Sequence, residues 1–159
     1  MRVDITRRAD LAVHATAVLG RATGRVKATE LTALPNTTAG FVPQVLGPLV
    51  GAGWVRSDSG PTGGYLRVAD SSMVTVLQVI EAVDGPIDGG RCVVASERAC
   101  NSASPCTMHV AWGRARHELI TALAATSLAD VAPLIGCTNE PIWHRRPPPS
   151  ASWSQRSAM

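Results

Sequence analysis

The chain has 159 residues, enough for one compact core with an added helix and a tail. Hydrophobic residues make up 45% and aromatics only 4%, so the interior is built mainly from Ala, Val and Leu, which suits packed helices and argues against a β-sandwich. The net charge of +3 is unevenly spread: residues 1–27 hold six basic side chains against two acidic ones, a distribution that fits a phosphate backbone or a solvated helix face, whereas residues 28–104 hold seven acidic against four basic.

Residues 4–20 predict a first helix, with Ile5, Ala9, Ala12, Val13, Ala17 and Leu19 near the helical period and Gly20 and Gly24 closing it. Residues 28–34 predict a short second helix, halted by Pro35 because proline disfavours helical geometry in the residue before it. Asn36, Thr37 and Thr38 offer caps for a third helix, whose apolar stripe is Phe41, Val42, Val45, Leu46, Leu49 and Val50. This is a helix-turn-helix spacing. Pro43 and Pro48 fall inside the third helix, where a proline beyond the first turn costs about 3 kcal/mol. Residues 54–57 and 65–68 predict the two strands of a hairpin, and Asp58-Ser59-Gly60-Pro61-Thr62-Gly63-Gly64 supplies its turn. Ser71 and Ser72 are the expected caps of a helix over 73–83, ended by Asp84-Gly85-Pro86. A loop over 85–105, rich in Gly, Ser and Pro, precedes a longer helix from Thr107 to about Thr126. That helix carries Trp112, Ala115, Leu119, Ile120 and Leu123 on one side, a stripe suited to dimerisation or to covering the chain's own core. Residues 139–159, with Pro147-Pro148-Pro149, predict disorder.

The expected fold is mainly α with a small β-hairpin wing: a winged helix-turn-helix plus a long dimerisation helix. In domain terms, 1–86 is the DNA-binding unit, 87–106 a cysteine-rich loop, 107–131 the dimerisation helix with a short cap, and 132–159 a tail. The same skeleton also serves as an interaction module without nucleic acid. No segment approaches the roughly 18 consecutive apolar residues of a membrane span, which predicts no membrane partner. Arg7 and Arg8 faintly resemble a twin-arginine export signal, but removing the stretch that follows would take away a helix the core needs. The four cysteines, in a chain without a convincing export signal, suit metal or redox chemistry in a reducing compartment, and the expected location is cytoplasmic.

The most specific chemical feature is Cys92-x7-Cys100-x5-Cys106-x2-His109. Three thiols and an imidazole fall within eighteen residues of a stretch with little apolar content, so burial does not account for them. Thiolates are soft ligands suited to an iron-sulfur cluster or to zinc, and flexible spacers let several sulfurs converge on one centre. A zinc-stabilised winged-helix protein would use the same residues in a closed tetrahedral site. A thiol enzyme built on Cys106 and His109 lacks an evident third orienting group or oxyanion element. Cys137 stands apart from the motif.

Several motifs together carry a family resemblance over about residues 1–131. They are Arg7-Arg8-Ala9-Asp10-Leu11-Ala12-Val13, Gly40-Phe41-Val42-Pro43-Gln44-Val45-Leu46 and Gly60-Pro61-Thr62-Gly63-Gly64-Tyr65, followed by Val79-Ile80-Glu81-Ala82-Val83-Asp84-Gly85-Pro86, the cysteine motif and Ser127-Leu128-Ala129-Asp130. In these the chain resembles the IscR/NsrR-type family of bacterial winged-helix iron-sulfur regulators. The resemblance implies a homodimeric repressor on a palindromic double-stranded DNA operator, with the third helix in the major groove and the wing, including Thr62 and Gly63, at the minor groove. It implies that Cys92, Cys100 and Cys106 hold the cluster. The fourth ligand stays open between His109, which fits a 2Fe-2S cluster, and Asp10 of the partner subunit, which fits a 4Fe-4S cluster. The third helix has no Lys or Arg, so base reading falls to Thr37, Thr38 and Gln44, glutamine matching the paired donor and acceptor of adenine. Phosphate contacts fall to Arg2, Arg7, Arg8, Arg56 and Arg67. The implied signal is redox state, nitric oxide or iron-sulfur status.

Overall fold

The computed structural model describes residues 5–34, 37–88, 100 and 105–134. Arg2, Asn36, Cys92, Cys137 and the tail expected to be disordered lie outside these residues.

Helix α1 (Arg7–Arg21) is capped by Thr6, whose hydroxyl accepts the Ala9 N–H at 3.1 Å. Its inner face is rich in alanine, with Ala9, Ala12, Ala15 and Ala17 buried beside Leu11 and Leu19. Such a face lets a neighbouring helix approach closely, and α4 (Val76–Asp84) packs along it. Helix α2 (Ala28–Leu31) is one turn long, and its chain continues through Leu34 in turns rather than as helix.

Helix α3 (Val42–Gly51) begins later than Thr37 and Thr38 would place it. Phe41 holds the cap position without a side-chain hydrogen bond, and the Thr38 carbonyl accepts the N–H groups of Phe41 and Val42 in the turn before it. Pro43 therefore sits in the first turn, where no intrahelical donor is needed. Pro48 lies in the interior and cannot donate to the Gln44 carbonyl. The helix persists because Val42, Val45, Leu46 and Leu49 are all buried, each contributing about 1.5–3 kcal/mol, which together exceeds the proline cost.

Strands β1 (Val55–Asp58) and β2 (Gly64–Arg67) pair antiparallel, Val55 opposite Arg67 and Asp58 opposite Gly64. The hairpin has a further partner that sequence patterning does not predict. Val26 and Tyr65 exchange both backbone hydrogen bonds, at 2.9 and 2.8 Å, so the segment between α1 and α2 adds a third, one-bridge strand to the wing. Gly64 makes room for it: a Cβ there would stand 2.7 Å from the Val26 carbonyl oxygen, and its φ is +149°.

The helix expected over 73–83 starts at Val76 instead. Thr75 and Gln78 form a reciprocal capping box, Thr75 Oγ1 accepting the Gln78 N–H at 3.2 Å and Gln78 Oε1 accepting the Thr75 N–H at 2.9 Å. That pair outcompetes the serines, and Met73 is left 76% exposed. Beyond the cysteine segment come α5 (His109–Ala125), α6 (Leu128–Val131) and a final 3-10 turn, Ala132–Leu134. The chain returns to its starting point: Val76 N–H donates to Thr126 O and Leu128 N–H to Val74 O, both at 2.9 Å. Leu128 is buried in the core with Leu19, Leu46, Leu49 and Val79. Helix α5 thus lies on an excursion whose described ends, at α4 and α6, meet one core. Helix α5, in that excursion, has no residue this chain buries; Leu123 packs only partly against Ala9, Val76 and Ile80.

The fold is a winged helix-turn-helix, mainly helical with one small hairpin, as expected from sequence.

Candidate cluster site and nucleic-acid interface

The turn that starts α5 brings part of the cysteine motif together. Cys100 Sγ lies 3.2 Å from His109 Nδ1 and accepts the Cys106 N–H at 3.3 Å. The His109 N–H donates to the Cys106 carbonyl at 3.0 Å, so residues 106–109 fold as a tight turn over Cys100. Cys100, Cys106 and His109 are all half-buried. Among the described residues no three His, Cys, Asp or Glu side chains converge as they would around a metal ion. Cys92, the remaining sulfur, lies outside them. A thiol and an imidazole in contact, with a second thiol on the same turn, fit a soft metal centre in donor chemistry. Asp10, the other candidate ligand, is exposed on α1, its carboxylate 3.3 Å from His14 Nδ1.

Two contacts tie the start of this segment to the helices. The Ile87 N–H donates to Glu81 Oε1 at 3.2 Å, and Arg116 of α5 donates to Asp88 at 2.6 Å. At the end of α4, Asp84 accepts the Thr6 hydroxyl at 2.6 Å and lies 3.7 Å from Arg8 Nε. Arg8 also donates to the Val83 carbonyl. Arg8, expected on a phosphate, is therefore engaged with the C-terminus of α4, a relationship 75 positions long that local sequence cannot reveal.

Around the reading helix and the wing, the outward face of α3 presents Pro43, Gln44 and Gly47, with Gln44 its one polar side chain. Thr38 is exposed in front of it, while Thr37 is half-buried and lines a crevice with Leu11, Leu34 and Leu46. Arg7 is exposed at the start of α1. Arg67 is half-buried and donates to the Ala69 carbonyl at 2.6 Å. Thr62 is exposed at the wing tip, and Gly63 closes its turn by donating to Gly60 O at 2.9 Å. Arg56 is exposed on β1 with Nε 3.4 Å from Asp58 Oδ2. Sequence reasoning missed Arg25, whose Nε donates to the same oxygen at 2.7 Å. The Arg25 hydrogen bond, with the Arg56 charge nearby, holds the Asp58 carboxyl below the usual carboxylate range.

The Rrf2 family profile, described as an iron-dependent transcriptional regulator, matches residues 5–133. The chain belongs to the Rrf2 family. Its Rrf2 relatives include the HTH-type transcriptional regulator IscR of Xenorhabdus nematophila, 27% identical over 130 residues that cover 82% of this chain and 74% of the relative. IscR of Photorhabdus laumondii is 28% identical over the same coverage. Among solved structures, CymR of B. subtilis, described as the global cysteine regulator of that organism, superposes with a TM-score of 0.67 at 21% identity, covering 84% of this chain and 98% of that one. T. potens IscR superposes with a TM-score of 0.60 at 18% identity, covering 81% and 85%. These Rrf2 relatives are transcriptional regulators rather than enzymes, and no helix among the described residues is long and apolar enough to cross a membrane.

Proposed function

We propose that this chain is a homodimeric, cytoplasmic repressor whose grip on a double-stranded DNA operator is set by an iron-sulfur cluster held by Cys92, Cys100 and Cys106. The observation that carries the proposal is the 3.2 Å contact between Cys100 Sγ and His109 Nδ1, which supports His109 as the fourth ligand and hence a 2Fe-2S cluster. The cluster, when bound, supplies a centre that reacts with oxidants or nitric oxide.

The chain's own residues supply the rest. Asp88 and Arg116 fasten the cysteine segment to α5, and Asp84 with Thr6 and Arg8 fastens the end of α4 to the start of α1. Helix α1 packs on α3, so a change in the segment reaches the DNA-reading helix through contiguous packed elements. Such a change shifts operator affinity only by its differential effect on the two states. Gln44 and Thr38 read bases, and Arg7, with the wing, meets the backbone. Helix α5, without a buried residue of its own, is the natural dimer contact.

The test is iron and acid-labile sulfide assay with visible spectroscopy on protein purified without oxygen. Coloured wild type, with Cys92→Ser, Cys100→Ser and Cys106→Ser each colourless, is the expected result. A colourless protein holding zinc would instead favour a closed tetrahedral site on the same sulfurs.

A further inference from the structure

We propose that Arg25, Lys27 and Arg56 form a phosphate-binding edge on the wing, and that Asp58 positions its two guanidinium groups for duplex DNA. The proposal rests on the DNA-binding reading above and adds to it a third strand.

The geometry begins with Val26. It is buried and paired to Tyr65, so alternation along an extended strand turns its neighbours Arg25 and Lys27 outward, and both are exposed. Arg56 reaches the same side from β1. A single oxygen, Asp58 Oδ2, joins the two arginines, 2.7 Å from Arg25 Nε and 3.4 Å from Arg56 Nε. Asp58 and Lys27 line an open cleft of about 430 Å³ between the start of α2 and the wing, with Thr29, Ser57, Ser59 and Tyr65. Against these three cations stand Asp58 and Glu30, whose carboxylate accepts the Lys27 N–H at 2.6 Å, so the edge stays net positive by one charge.

An exposed ion pair of this kind adds little stability. Its effect lies in order: two long side chains that would otherwise sample many rotamers are held side by side. Less freedom is then given up when a phosphate engages them. Asp58 takes Arg25 through Nε, and the terminal nitrogens of the guanidinium fork remain for a phosphate oxygen pair. This supplies backbone contacts in a fold whose reading helix carries no cation.

Phosphate contacts do not depend on sequence, so a labelled duplex of arbitrary sequence is a sufficient probe for the full-length protein, with affinity followed against salt. Arg25→Ala and Arg56→Ala should each flatten the logarithmic salt slope by about 0.9 for every phosphate that is no longer neutralised. Arg25→Gln, which keeps the stem and a donor for Asp58, should flatten it equally. Asp58→Asn and Asp58→Ala carry the same charge but only the first keeps an acceptor, so Asp58→Asn should bind about three-fold or more tighter than Asp58→Ala. Thermal melts establish that each variant is folded. Wild-type binding with unchanged slopes in the arginine variants, or equal affinity in the two Asp58 variants, overturns this proposal alone. Wild type that ignores the duplex at every salt concentration overturns the DNA-binding reading itself.

Discussion

The Thr6 hydroxyl joins two helix ends: it accepts the Ala9 N–H at 3.1 Å to cap α1 and donates to Asp84 Oδ2 at 2.6 Å at the end of α4. Arg8 completes the clasp by donating to the Val83 carbonyl, where a cation complements the negative end of a helix. The cysteine segment departs just beyond, at Gly85, whose φ of +88° turns the chain away from α4.

Thr6→Val keeps the shape of the side chain and removes the hydroxyl. It should cost about 1–2 kcal/mol, as removal of an N-cap does, and Thr6→Ser should restore most of it. Urea denaturation of the three proteins measures this; equal midpoints for wild type and Thr6→Val would contradict the clasp.

Gly63→Ala tests the wing. A Cβ at this position would stand 2.2 Å from the Asp58 carbonyl oxygen, and because the obstacle is backbone, no side-chain rotation relieves it. The expected cost is about 1–3 kcal/mol, with faster amide exchange at Val26 and Tyr65, whose mutual hydrogen bonds hold the third strand. Unaltered exchange at these two amides would show that the turn tolerates a side chain.

Gln44→Ala separates base reading from backbone binding. Discrimination between operator and mismatched duplex should fall by about 1–3 kcal/mol while the salt slope stays the same, since no phosphate contact is removed. Binding titrations on both duplexes at several salt concentrations give the two quantities separately.

Acid stability follows from Asp130, whose carboxyl is held below its ordinary pKa by hydrogen bonds from the Ser127 hydroxyl and N–H in the cap of α6. A depressed folded-state pKa contributes stability above the unfolded value, and that contribution is lost as pH falls through the folded value. Wild type should therefore be more stable than Asp130→Asn at neutral pH, with the gap closing below about pH 4. Melting curves from pH 7 to pH 3 check the sign.

The parts of this molecule legible in its sequence are those set by local periodicity and turn chemistry. Leu46 and Leu49 announce the buried side of α3, and the glycines around Pro61 announce the wing. The start of α4 is obscured because several hydroxyl residues compete there, and only the reciprocal geometry of Thr75 with Gln78 decides among them. Val26 gives no strand signal because a single bridge has no alternating run. The pairings of Arg8 with Asp84 and of Arg25 with Asp58 span 76 and 33 positions, distances at which no sequence pattern specifies a partner. The apolar stripe of α5 is legible, yet its partial cover by this chain is a tertiary fact: Leu123 meets the core while Ala115 remains exposed. Of the cysteine motif, spacing marks the donors, and the fold adds that Cys100 and His109 touch.

The most direct measurement is operator affinity followed in one oxygen-free preparation before and after its cluster is destroyed by nitric oxide, with iron content and visible absorption recorded alongside. The account predicts an iron-containing, coloured protein whose affinity changes several-fold or more as the colour fades. An iron-free, colourless protein that holds the same DNA with unaltered affinity would contradict it.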